Sequence, residues 1–263
     1  MTMDPPRLHV EVDGDGPTIV LGHGFGGSAR NFRAQVRGLA ARFRVVRFDA
    51  RGHARSEAPE DPAAYRPEAF VADVGRVLDQ VGAPSAVIGG LSMGAGIALR
   101  FALAHPRRTR ALVLASFPAG RDVAGSFRAV AEDFAATIER EGLEAAGARF
   151  VWGPDSGLEP RAAALIRQGF LEHDPHALAC TLREVIAVQP SAADMADVLP
   201  AIAQPVLLIA GDRDRSAVAA SRALAAGLPH ARVAVIPDAG HLVNVAQPAA
   251  VNAAVETFLR DVP

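Results

Sequence analysis

The chain has 263 residues, enough for one large domain or for a core domain with an insertion. Half of it is hydrophobic, and 27 basic residues nearly balance 29 acidic ones for a net charge of -2, so no nucleic-acid or membrane-surface partner is expected. The basic residues are all arginine and scattered, and the single cysteine, Cys180, excludes an intrachain disulfide and reads as a small buried hydrophobe.

The N-terminal MTMDPPRLHVEV has neither a basic n-region nor an apolar h-region, so no secretory leader is expected and the cytoplasm is the expected location. No uncharged apolar run approaches the ~20 residues of a membrane span. RLHVEV alternates as a short strand and ends in the turn DGDGP. TIVL is a second strand, closed by GHGFGGS. A helix is expected over 31–41, then the strand FRVVRFD and the loop RGHARSEAPEDP. Apolar residues at helical spacing (Phe70, Val71, Val74, Val77, Leu78, Val81) predict a helix over 67–81. SAVIGG is again a strand, 93–104 a helix, and RALVLAS a further apolar strand. Short β-branched runs alternating with helices predict an α/β fold, a mostly parallel doubly wound sheet with helices on both faces.

From 119 to 200 the signals are helical only: 127–140, 143–151, 160–171 and 175–188, the last with Asp174 as N-cap before Pro175. Strands return at QPVLLIAG and ARVAVIPDAG, and 248–259 makes a closing helix. The expected organisation is a core domain from 1–118 and 201–263 with a helical cap, or lid, over 119–200. An insertion at the carboxyl end of a parallel strand lands where ligands bind in such sheets.

Three stretches carry chemistry. GHGFGG (22–27) matches G-x-G-x-x-G between a strand and a helix, and Asp49 follows about twenty residues on, the layout of a dinucleotide-binding fingerprint. His23 between the first two glycines weakens that reading. Gly90-Leu91-Ser92-Met93-Gly94 fits G-x-S-x-G at a strand-to-helix turn, which lifts a serine hydroxyl to a helix N-terminus. QPVLLIAGDRDRS places Asp212 and Asp214 just beyond a strand, and ARVAVIPDAGHLV does the same for His241. A serine nucleophile needs a base, and the base needs a carboxylate to fix its tautomer.

Ser, Asp and His in that chain order, each in a strand-loop context, resemble the α/β-hydrolase fold superfamily. HGFGGS, FDARGHARS, GLSMGAGIALRFALAHP, IAGDRD and AGHLVNVAQP carry the resemblance, which covers essentially the whole chain. It implies Ser92 as nucleophile, His241 as general base and later general acid, and Asp214, the last residue of G-x-x-D, as orienting acid; Asp212 is expected to brace the loop. The oxyanion hole would be the backbone N–H groups of Phe25 and Met93. Asp49 to Ser56 matches a structural D-x-R-G-x-G-x-S loop, with Ala54 in place of the second glycine.

The expected activity is hydrolysis of a small carboxylic ester or lactone through an acyl-enzyme on Ser92, with no cofactor and no metal. Phe25, Leu91, Phe117 and Trp152, with Met93, are expected to make an apolar pocket. Two relatives within the superfamily compete: 3-oxoadipate enol-lactonases and the pyruvate-eliminating MenH-like lyases. HALACTLREVIAVQPS resembles the latter and makes Arg183 a carboxylate-binding candidate, although that family's arginine four residues after the nucleophile is Gly96 here. C–C hydrolases share the framework. A binding module that kept the fold and lost turnover is the rival from another class, and the complete Ser, His and Asp set argues against it. EHDPH (His173, Asp174, His176) lacks a third ligand for a metal, and His9, His53 and His230 are expected in loops or at the surface.

Overall fold

The computed structural model describes residues 4–120, 126–153, 158 and 160–262. Seven strands form one sheet: β1 (Val10–Asp13), β2 (Thr18–Gly22), β3 (Arg44–Phe48), β4 (Ala86–Leu91), β5 (Thr109–Ala115), β6 (Val206–Gly211) and β7 (Ala231–Ile236). Their spatial order is β1-β3-β2-β4-β5-β6-β7. Only β1, joined to β3, runs antiparallel.

The parallel strands are near-continuous apolar runs because both sheet faces are covered. Alternation sorts them. Val20, Val46, Ile88, Leu112, Leu114, Val206 and Leu208 face one side, where α2 (Pro67–Gln80), α3 (Met93–Ala104) and α7 (Arg215–Gly227) pack. Ile19, Leu21, Val45, Val87, Leu91, Val113, Leu207 and Ile209 face the other, under α1 (Arg33–Leu39) and α9 (Pro248–Leu259). The four-residue α8 (Val243–Ala246) precedes α9.

Between β5 and β6 lies the helical insertion: α4 (Ser126–Phe150), α5 (Pro160–Phe170) and α6 (Pro175–Thr181). Its own core joins Phe134, Ile138, Phe170, Leu178 and Leu182. Two expected boundaries differ. The pair 127–140 and 143–151 is one helix interrupted at Gly142, where φ is 83° and ψ 173°, a conformation that glycine adopts without Cβ strain. The single helix over 175–188 stops at Thr181 and continues as a π turn over Leu182–Ile186, closed by the Ala187 N–H to Leu182 C=O bond of 2.8 Å. Asp174 caps α6 as expected, accepting from the Ala177 N–H at 2.9 Å. Among the described residues no helix is long and apolar enough to cross a membrane.

Candidate active site

Every strand of the site delivers its side chain to one edge of the sheet. β4 ends at Leu91, and Ser92 follows with φ 52° and ψ -111°, a left-handed backbone that costs a non-glycine residue ~1–3 kcal/mol. The Ser92 N–H still bonds the Ala115 carbonyl at 2.9 Å, so the chain is held to β5 up to the turn. The turn is tight because three glycines meet. A Cβ on Gly90 would lie 2.6 Å from the Gly22 carbonyl oxygen, and one on Gly94 would collide with that same carbonyl. Helix α3 then starts at Met93, and the Ser92 hydroxyl is not spent on capping it. It stands instead at a helix N-terminus, where free N–H groups and the positive end of the dipole favour an anion.

Asp214 and His241 arrive from the ends of β6 and β7. Asp214 is the N-cap of α7: its Oδ1 accepts from the Ala217 N–H at 3.0 Å and from the Ser216 hydroxyl at 2.7 Å. Its other oxygen, Oδ2, lies 2.6 Å from His241 Nδ1. Burial alone would raise the Asp214 pKa, but the hydrogen bonds from His241, Ala217 and Ser216 hold it at about 2. A fixed carboxylate makes Nδ1 the protonated nitrogen of His241 and leaves Nε2 as the basic one. Asp212 accepts from the Ala239 N–H at 3.2 Å, across the base of the His241 loop, and makes no hydrogen bond to the imidazole among the described residues. Ser116, buried and at φ 46°, donates to the His241 carbonyl at 2.7 Å and ties that loop to the end of β5.

The third part is the turn after β2. Gly27 N–H bonds the Gly24 carbonyl at 3.0 Å, and Gly26 takes φ 64°, the positive value a glycine permits at the third position of a β-turn. Phe25 occupies the second position, whose N–H such a turn leaves free. His23 braces the turn from below. Its Nε2 accepts the Ala50 N–H at 2.9 Å, so its Nδ1 carries the proton and donates to the Gly24 carbonyl at 2.8 Å.

The family profile for the alpha/beta hydrolase fold matches residues 17–151. This chain belongs to that hydrolase family. Three similar proteins match this α/β hydrolase over nearly its full length. A Bacillus subtilis protein provisionally named 2-succinyl-6-hydroxy-2,4-cyclohexadiene-1-carboxylate synthase is 31% identical over 252 residues, 93% of this chain and 90% of that one. The enol-lactonase from Burkholderia xenovorans LB400 superposes with a TM-score of 0.85 at 29% identity, covering 99% of both chains. A thermophilic esterase from Thermogutta terrifontis does so with a TM-score of 0.87 at 30% identity, covering 98% of this chain and 96% of its own.

Several expectations about the hydrolase pocket need correction. Leu91 is buried in the sheet face under α1 and α9, where it shares parity with Val87, and its Cδ2 lies 3.7 Å from where a Cβ on Gly24 would stand. Phe117 is fully buried in the opposite core layer. Trp152 packs edge-on against Phe170 at 5.5 Å and covers Gly147, inside the insertion. Arg183 is not free to meet a carboxylate: its guanidinium bridges Glu132 and Glu139 on α4 at 2.5–3.1 Å. Phe25 is half-buried at the junction of the sheet edge and the insertion, ringed by His53, Phe134 and Phe170.

The dinucleotide reading also fails on geometry. The glycine run closes a β-turn from Gly24 to Gly27, and Ser28, not a glycine, caps the 3-10 turn Ala29–Phe32 that leads into α1. Both oxygens of Asp49 are taken, by the Ala29 N–H and by Arg55. His53 is no surface residue: it is fully buried between His23 at 5.0 Å and His173 at 5.3 Å, with Nδ1 donating to the Arg51 carbonyl and Nε2 without a hydrogen-bond partner among the described residues. In the EHDPH stretch both His173 ring nitrogens face carbonyls and Asp174 is a helix cap. Ala54 takes φ 45°, so the residue that replaced the loop glycine holds a backbone that glycine would hold without strain.

The buried histidines give a pH prediction. Burial pushes His23 down from 6.5 to about 4, and burial together with the neighbouring imidazoles pushes His53 well below 6.5. The unfolded chain takes up those protons as pH falls through 6.5 while the folded chain refuses them. Stability therefore falls as pH drops below 6.5, by up to ~1.4 kcal/mol per pH unit for each histidine. Thermal melts between pH 7 and 5, above the main carboxylate range, are expected to show a steadily falling Tm. A Tm that stays level across that window contradicts the buried neutral assignment.

Proposed function

We propose that this chain is a serine hydrolase that cleaves a small carboxylic ester or lactone through an acyl-enzyme on Ser92. The observation that carries the reading is the Asp214–His241 pair, poised on the sheet edge where the strained Ser92 turn opens. His241 Nε2 takes the Ser92 proton as Oγ attacks the carbonyl carbon. The oxyanion is met by the N–H groups of Met93 and Phe25. As the tetrahedral adduct collapses, His241 returns the proton to the leaving alkoxide; in a lactone that alcohol stays attached to the acyl group. Water, deprotonated by His241, then attacks the acyl carbonyl and frees Ser92 and the acid. The enol-lactonase and esterase likenesses support this class of substrate.

Pyruvate elimination is the second reading, and the 31% identity to the Bacillus subtilis synthase favours it. Gly96 in place of the arginine and the engaged Arg183 weigh against it.

The test is turnover of p-nitrophenyl acetate and butyrate and of a lactone panel, with the acid assignment read from two variants. Asp214→Asn is expected to lower kcat by ~10³–10⁴, since the wrong imidazole tautomer is then held. Asp212→Asn is expected to cost no more than ~tenfold, because it only loosens the loop. The reverse order would move the orienting role to Asp212, and a wild type inert towards the whole panel would end the hydrolase reading.

A further inference from the structure

The oxyanion turn is held from two sides, and one side is not part of the core domain. His23 secures the Gly24 carbonyl from below the sheet edge. The opposite end, the Gly27 carbonyl, lies 2.9 Å from Nε2 of His173, which belongs to the link between α5 and α6 of the insertion. His173 is buried, and its Nδ1 lies 3.0 Å from the Phe170 carbonyl; a neutral ring donates to only one of the two carbonyls, so the bond to Gly27 is that of the tautomer with its proton on Nε2. Its neighbours press on the same turn. The Phe170 ring sits 2.6 Å from where a Cβ on Gly26 would lie, and Glu172 pairs with Arg30 just beyond. Edge contact with His53 fixes the plane of the His173 ring.

A turn with glycine at three of its four positions has little intrinsic rigidity. The Phe25 N–H can serve an oxyanion only if its direction is fixed, since donors act at 2.7–3.1 Å from the developing charge. The anchors available are the two carbonyls that bracket the turn and the ring against Gly26.

We infer that His173 is a positioning residue for the oxyanion hole: by hydrogen bonding the Gly27 carbonyl from the insertion, it fixes the turn that aims the Phe25 N–H. The inference rests on the serine-hydrolase reading above. The insertion is then a working part of the catalytic site. Loss of the anchor should act on the transition state, where the oxyanion exists, and therefore on kcat more than on KM.

His173→Leu and His173→Gln test this as a pair of similar size. Glutamine keeps an N–H for the Gly27 carbonyl and leucine does not. With p-nitrophenyl butyrate, His173→Leu is expected to lower kcat ~tenfold or more with KM within about twofold, and His173→Gln to recover most of it. The rate of fluorophosphonate capture should fall in parallel, because the phosphonyl adduct uses the same N–H groups. Equal kcat for the leucine variant and the wild type overturns the inference. So does an equal loss in both variants that tracks a loss of Tm, which would mean packing alone. A wild type that neither turns over esters nor reacts with the fluorophosphonate sinks the hydrolase reading itself, an outcome separable from the first two because they require an active wild type.

Discussion

Ser92→Ala is expected to abolish ester turnover, lowering kcat by ~10⁴ or more, while leaving the fold intact. The hydroxyl caps no helix end, so its removal strands no donor that the fold needs. Alanine has the same backbone preference as serine and inherits the φ of 52°, so the strain of the turn is unchanged. Tm should therefore stay close to the wild-type value, with a stability change within ~0.5 kcal/mol. Binding of a slow substrate should survive as well, because Met93, Phe25 and the walls of the site are untouched. Steady-state hydrolysis of p-nitrophenyl esters beside a thermal melt measures both. A variant retaining a tenth of wild-type turnover would show that Ser92 does not form the bond.

The largest effect on stability is expected at Gly94. A side chain there collides with the Gly22 carbonyl, the backbone that α3 must approach for the turn to close. The strand cannot yield, because Gly22 is registered against Phe48 on one side and Gly90 on the other. Gly94→Val should cost ~4 kcal/mol or more, equivalent to a fall in Tm of ~10 °C in a chain of this size. Gly169, in α5, is the matched control. Among the described residues nothing lies within 4 Å of a Cβ there, and alanine should stabilise the helix by ~0.5–1 kcal/mol. Circular-dichroism melts of the two variants separate close packing from a general intolerance of substitution; a Gly94→Val Tm equal to that of the wild type would contradict the packing argument.

The sheet was legible because its strands are short β-branched runs closed by glycine or aspartate turns. The position of Ser92 at a strand-to-helix turn, and of Asp214 and His241 beyond later strands, followed from the same punctuation. What escaped depended on long-range packing. Leu91 carries a local signal of burial, since it shares parity with the buried Val87. Arg183 gave no such warning. Its partners, Glu132 and Glu139, lie two helical turns apart on α4, and only the fold brings them to it. The burial of His53 and the reach of His173 to Gly27 are also tertiary, joining loops more than a hundred residues apart. Ser116 looks like any strand end in sequence, yet its hydroxyl holds the His241 loop.

The central claim is that Ser92 forms a covalent bond to the substrate's acyl carbon. The most direct measurement is mass spectrometry of the protein after reaction with a small fluorophosphonate, intact and then as peptides. One adduct per chain, on the peptide containing Ser92 and absent from Ser92→Ala, is the expected result. Ester turnover that continues with no adduct, or an adduct placed on another residue, would contradict it.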